Sequence, residues 1–206
     1  MLMPCLYQHF FIEHNRGHHK NVATDEDPAS AKRGEYVFSF WFRSVSRGWQ
    51  NAWSLECERL QKSGHTVFSW SNALVRYTVF QTLWLLLIWE LFGWKGLIGA
   101  ISVATISFLL LETVNYIEHY GLRREILPNG RPEPVSPKHS WNSDHELGRI
   151  FLYELTRHSD HHYKSTRKYQ ILRHLDESPQ LPFGYPTSIV LALIPPVWFQ
   201  LMHKRL

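Results

Sequence analysis

Two stretches of this sequence carry histidine at a density and spacing that neither packing nor solubility explains. In Arg157-His158-Ser159-Asp160-His161-His162 three histidines fall within five positions, and Glu13-His14-Asn15-Arg16-Gly17-His18-His19 repeats the arrangement. On a helix, residues four apart share a face, so His158 and His162 would stand together with His161 beside them, and His14 and His18 would pair likewise with His19 following. Three imidazoles within reach of one point are half of a metal site. Six exceed what one structural zinc, normally four-coordinate, can use, so two metals are expected.

The remaining donors narrow the chemistry. Only two cysteines occur, Cys5 and Cys57, without a CxxC pair or a secretory leader, which argues against a disulfide scaffold and against thiolate ligands. The ligands are then nitrogen and oxygen. The net charge of +4 is modest and its Lys and Arg residues are dispersed, unlike a nucleic-acid-binding face.

The elements that must position these groups follow from the hydrophobic pattern. A mean hydropathy of −0.27 conceals a segment, Leu74–Ile117, dense in Leu, Ile, Trp and Phe. Within it Leu74–Phe92 and Leu97–Ile117 are each about the ~20 residues needed to cross the hydrocarbon layer, and Gly93-Trp94-Lys95-Gly96 between them is short enough for a turn. The pattern predicts a transmembrane helical hairpin at about 74–117. Residues 1–70 hold eight Lys or Arg, residues 113–186 hold ten and the turn holds one, so the positive-inside rule puts both histidine boxes on the cytoplasmic side. The expected fold is all-α: an integral-membrane helical bundle, one domain over residues 1–206, with a cytoplasmic histidine-rich di-metal site.

Other stretches carry subsidiary expectations. Tyr36–Leu60 reads as an amphipathic helix at a membrane interface, and Asp27-Pro28 as a helix start with Asp27 as its cap. Gly17 lowers helix propensity but permits close approach. Glu112, Asn115 and His119 form a polar stripe at the end of the second membrane helix, the placement of groups that serve a site. Asn142–His145 should lead into the helix bearing the second box. His139 reads as polar surface, and His145 is either surface or a donor beside the ligands. His65 and His203 should lie elsewhere. Thr187–Met202, broken by Pro195-Pro196, is too short to span and should pack under the site or rest at the interface.

Taken together, Glu13–His19, Asn115-Tyr116-Ile117-Glu118-His119-Tyr120-Gly121 and Arg157–His162 resemble the membrane-bound di-iron alkane hydroxylases, relatives of the membrane fatty-acid desaturases. The Asn115–Gly121 stretch is the most specific, because desaturases are not expected to show it. The resemblance implies that His14, His18, His19, His119, His158, His161 and His162 hold two iron ions. It implies terminal hydroxylation of an alkane or similar alkyl chain by dioxygen, with rubredoxin as electron donor. Glu13, Asn115, Glu118, His145 and Asp160 are candidates for supporting the ligands, with Glu118 and Asp160 accepting from imidazole N–H groups. The basic run Lys164, Arg167, Lys168 and Arg173 is the candidate docking face for the acidic donor. The family has a further box, His-Glu-x-x-His-Lys, before the position of Glu13, so the resemblance implies an N-terminally incomplete chain, inactive by itself. The expected setting is the inner membrane, multi-pass, among lipids that also deliver the apolar substrate. Competing readings are a fatty-acid desaturase or acyl hydroxylase on the same scaffold, a metal transporter or sensor, and an inactive remnant.

Overall fold

The computed structural model describes residues 2–206, and among these the regular structure is helical. In chain order the helices are α1 (His9–Glu13), a π turn (His14–His18), α2 (His19–Asn21), α3 (Val37–Lys62), α4 (Ala73–His119), α5 (Glu146–Phe151), α6 (His158–Tyr163), α7 (Tyr185–Ala192) and α8 (Pro195–Met202). Extended backbone pairs only at two isolated bridges among the described residues, Ile126 with Pro132 and Asn142 with Gln180. The chain divides into two compact units: Met1–Gly17 with Val45–Leu111, and His18–Ser44 with Glu112–Leu206.

In the first unit α4 begins at a built cap. The Asn72 side-chain oxygen accepts from the N–H groups of Leu74 at 2.8 Å and Val75 at 3.4 Å, and Glu56 takes the N–H of Ala73 at 2.8 Å, so three of the donors orphaned at a helix start are satisfied. Downstream, α4 is the one helix among the described residues long and apolar enough to cross a membrane. It breaks at Gly93, whose φ of 64° and ψ of −167° suit only glycine. A Cβ added at Gly96 would meet the Cβ of Phe92 at 2.3 Å and the carbonyl of Ile88, eight positions back, at 3.6 Å. The chain therefore kinks there, between arms of residues 73–92 and 94–119. Most apolar side chains of residues 79–110 face outward, including Leu83, Leu87, Leu91, Val103 and Ile106. A soluble core helix would bury such a face.

The second unit has its own core, made by Val37, Phe40, Tyr116, Ile117, Tyr120, Trp141, Tyr185, Trp198 and Met202. Pro186 and the Pro195-Pro196 pair sit at helix starts, where a missing N–H costs nothing, so the apolar stretch predicted as interrupted becomes two short helices, α7 and α8. Their buried Tyr185, Ala192, Trp198 and Met202 pack into that core. Two polar tips inside it are paired: Trp141 Nε1 donates to the Tyr120 carbonyl at 2.9 Å, and Tyr116 Oη to the Glu35 carbonyl at 2.6 Å.

Three local expectations are corrected. The first histidine box forms a π turn, a wider coil than the α-helix expected, and such turns recur at functional sites. No helix starts at Asp27-Pro28; the next helix is α3, and Asp27 turns inward. The second box does not ride on the helix entered from Asn142–His145. That helix, α5, ends at Phe151, Tyr153 and Glu154 take left-handed φ values of 51° and 62°, and the box starts a separate helix, α6.

Candidate metal centre

Three elements of the second unit bring histidines to one buried point. The last residue of α4 contributes His119, α6 contributes His158 and His162 four apart on one face, and the end of the π turn contributes His18. None of the four is more than 5% exposed. Their Nε2 atoms converge: His18 to His162 is 3.1 Å, His162 to His158 is 2.9 Å, and His158 to His119 is 3.1 Å. Nitrogens bound about 2.0–2.1 Å from one ion stand roughly 3 Å apart, so the spacing is that of a ligand set.

Protonation states agree. Asp27 is buried and its Oδ2 accepts from His18 Nδ1 at 2.9 Å, which leaves the lone pair of His18 on Nε2, toward the other three. Asp27 is held in turn by the Ser30 hydroxyl and by the N–H of Ala29 at 3.1 Å. Burial alone would push the Asp27 carboxyl up, but the attraction and hydrogen bond of the His18 Nδ1–H, with the Ser30 bond, hold it below the usual range. Burial, followed by the neighbouring His158 and His18, drives the His162 imidazole well below its ordinary value. A neutral His162 at the converging point suits a metal and repels no cation.

A second pair of rings lies beside the four. His19 and His161 stand 4.7 Å apart between centroids, and His19 lies 4.6 Å from His162. Burial, then His161 and His18, lowers His19 to about 3. His14 opens the π turn and falls in the first unit.

The supporting carboxylates divide. Glu118 is buried; its Oε1 accepts from Tyr185 Oη at 2.8 Å, and its Oε2 lies 3.3 Å from His158 Nε2. It thus faces the converging side of His158, where its oxygen would meet a bound cation. Asp160, expected to orient an imidazole, instead receives Arg167 Nη1 at 2.7 Å, the Arg173 N–H at 2.9 Å and Arg173 Nη2 at 3.1 Å. It pins the chain after α6, because two guanidinium groups outcompete a neutral imidazole for a buried carboxylate. Arg167 is consequently committed and half-buried, whereas Lys164 and Lys168 are exposed, as is Arg173 despite its bonds. Glu13 is buried and accepts from Asn51 at 3.2 Å, while Asn115 donates to Glu112 at 3.3 Å.

Other histidines have different work. His145 is exposed on the approach to α5. His139, expected at the surface, is buried because its ring closes a loop: Nδ1 accepts from the Ser136 N–H at 3.0 Å and Nε2 lies 3.1 Å from Glu133. His203 bonds Tyr120 at 2.9 Å. Sequence reasoning missed two participants: Tyr185 carried no signal, and Asp27 only that of a carboxylate near a histidine box.

Fold and site together define a helical protein with a membrane-length helix and a buried, all-nitrogen centre fit for a metal ion. A family model described as fatty acid desaturase matches residues 1–192, and the chain belongs to that family. It is 46% identical, over its whole length, to alkane 1-monooxygenase 2 of Pseudomonas aeruginosa and, over 99% of it, 44% identical to alkane 1-monooxygenase of Acinetobacter baylyi. A more distant relative, 29% identical over 94% of the chain, is the hydroxylase component of the xylene/toluene monooxygenase of Pseudomonas putida. These matches cover 54%, 50% and 51% of the respective relatives, so the chain spans about half the length of the curated relatives it matches.

Proposed function

We propose that this chain carries the metal-holding part of a membrane monooxygenase that hydroxylates an n-alkane or similar alkyl chain at its terminal carbon to a primary alcohol, using dioxygen and electrons from rubredoxin. The observation that carries the reading is the convergence of four buried imidazole Nε2 atoms, in a chain 42–46% identical to proteins named alkane 1-monooxygenase. His18, His119, His158 and His162 would hold one iron. His19 and His161 would hold a second. Two irons so bound would supply the redox chemistry that activates dioxygen and cleaves an unactivated C–H bond. Iron is preferred over zinc because an alkyl chain offers no polarised group for a Lewis acid to act on.

The protein's own contribution is positional. Asp27 fixes the tautomer and orientation of His18, and Tyr185 holds the Glu118 carboxylate against the converging side of His158. His119 itself is fully buried, which closes its side of the centre to water. The arms of α4 would both cross the inner membrane, placing the centre at its cytoplasmic face, where a substrate dissolved in lipid and a cytoplasmic reductant meet. The exposed Lys164, Lys168 and Arg173 would receive the acidic donor.

The family name supports a second reading, an acyl desaturase or hydroxylase on the same ligands. Product analysis of membranes containing the protein at the full length of its alkane 1-monooxygenase relatives, supplied with rubredoxin, its reductase and an n-alkane, separates them. A primary alcohol is the expected product; an alkene or an internal alcohol overturns the terminal-hydroxylase assignment.

A further inference from the structure

The function above makes no use of a cavity of about 450 Å³ in the first unit, at the start of α4. Its lining includes Arg16, Arg59, Arg76, His65, Tyr77 and the carboxylate of Glu56. Three guanidinium groups thus line the cavity beside one carboxylate, and that carboxylate is fully engaged. Glu56 Oε1 accepts from Arg59 at 2.7 Å and from the Ala73 N–H at 2.8 Å; Oε2 accepts from Arg59 at 2.9 Å and Arg16 at 3.2 Å. Arg76 takes no part. One of its N–H groups donates to the Trp70 carbonyl at 2.7 Å, which fixes the side chain but uses one of five donors.

Charge and position together specify a ligand. Arg76 stands in the first turn of a long helix, where aligned peptide dipoles already place partial positive charge, so a cation there is unfavourable without an anion beside it. Exposed Phe11 lines the cavity, and exposed Trp70 and Phe80, whose rings meet at 6.1 Å, flank Arg76 in sequence, the aromatic composition of a membrane–water boundary. From there Val79, Phe80 and Leu83 run outward along α4 as an exposed apolar strip. A tetrahedral oxyanion with an apolar tail matches both halves.

We infer that this cavity binds the phosphate diester of an anionic membrane phospholipid, with Arg76 as its principal contact, Arg16 and Arg59 adding field, and the acyl chains lying along α4. The inference rests on reading α4 as membrane-embedded.

The full chain, purified in a mild detergent, is titrated with phosphatidylglycerol, with diacylglycerol of the same acyl chains and with inorganic phosphate, and retained ligand is counted by native mass spectrometry. One phosphatidylglycerol per chain is expected, in preference to diacylglycerol. Arg76→Gln should weaken it about fivefold, the value of one cation at an anionic surface. Arg76→Lys should restore most of the binding, and Lys95→Gln, in the turn after Gly93, should leave it unchanged. Equal retention of diacylglycerol, or retention indifferent to Arg76→Gln, overturns the site. Displacement of the lipid by millimolar inorganic phosphate overturns the lipid assignment in favour of free phosphate. Release of the chain from membranes by alkaline carbonate overturns the membrane reading; loss of phosphatidylglycerol selectivity in a chain that resists carbonate overturns the phosphate site alone.

Discussion

The hydroxyl of Tyr185 donates to Glu118 at 2.8 Å, and the second oxygen of that carboxylate lies 3.3 Å from His158 Nε2. A phenol on α7 thereby sets the position of a carboxylate on the last turn of α4, which in turn faces a histidine of α6. Tyr185→Phe removes one oxygen and keeps the ring that packs in the core. It leaves a buried carboxylate oxygen without its donor, which costs about 1–3 kcal/mol of stability. Groups that orient ligands are worth about 10–100-fold in metal affinity. Iron titration and thermal unfolding in detergent should show both losses; unchanged iron affinity would confine Tyr185 to a packing role.

Asp27→Asn tests the other anchor. The amide keeps the size of the carboxylate but can present N–H groups to His18 Nδ1, which reverses the tautomer and turns a proton toward the converging nitrogens. Metal affinity should fall about 10–100-fold. Asp27→Glu should be milder. Ferrous binding isotherms on the two variants decide the matter, since a purely structural Asp27 would make them alike.

Removing a ligand should differ sharply from removing a bystander. His162→Ala should abolish stoichiometric iron at the quartet, because three imidazoles remain where four converge. His203→Gln should lower stability slightly and leave the iron count unchanged, since His203 bonds Tyr120 outside the cluster. Iron per chain measured by elemental analysis checks both, and loss of iron in the His203 variant would mean the centre extends further than drawn.

Glu56 predicts an acid-dependent stability. Hydrogen bonds from Arg59, opposed by burial, and the bond from the Ala73 N–H lower its carboxyl to about 2 from an ordinary 4.5. Because the folded value is the lower one, its contribution is complete above 4.5 and is lost as pH falls toward about 2. The difference in unfolding temperature between the protein and Glu56→Gln should therefore be largest near neutrality and shrink below about pH 4. A constant gap would show that Glu56 is not titrating in this range.

Electron delivery should depend on Lys164 and Lys168 but not in the same way on Arg167. Reversing the two lysines to Glu should slow reduction by rubredoxin, more at low salt than at high, since exposed charges are screened beyond about 10 Å at 0.1 M. Arg167→Glu should instead destabilise the fold, because Arg167 is bound to the buried Asp160. Stopped-flow reduction over a salt series, beside thermal unfolding, separates the two effects. Salt-independent reduction of the lysine variant would place docking elsewhere.

The parts of this protein that depend on neighbours in sequence were legible in it. The boxes at His14–His19 and His158–His162, the membrane-length stretch, the break at Gly93 and the interruption at Pro195-Pro196 all express rules of spacing, length and backbone freedom within a few residues. His119 stood out through the polar stripe it forms with Glu112 and Asn115 at the end of an apolar helix, and through the motif around it. What tertiary structure alone decided is which polar side chain meets which. Asp27 read as a helix cap and became the partner of His18; Asp160 read as an imidazole partner and went to Arg167 and Arg173; Tyr185 gave no sign and holds Glu118. The reason is physical: a buried carboxylate must find whichever donors the fold brings within about 3 Å, and that distance between residues 67 positions apart, as Glu118 and Tyr185 are, is not written in local spacing.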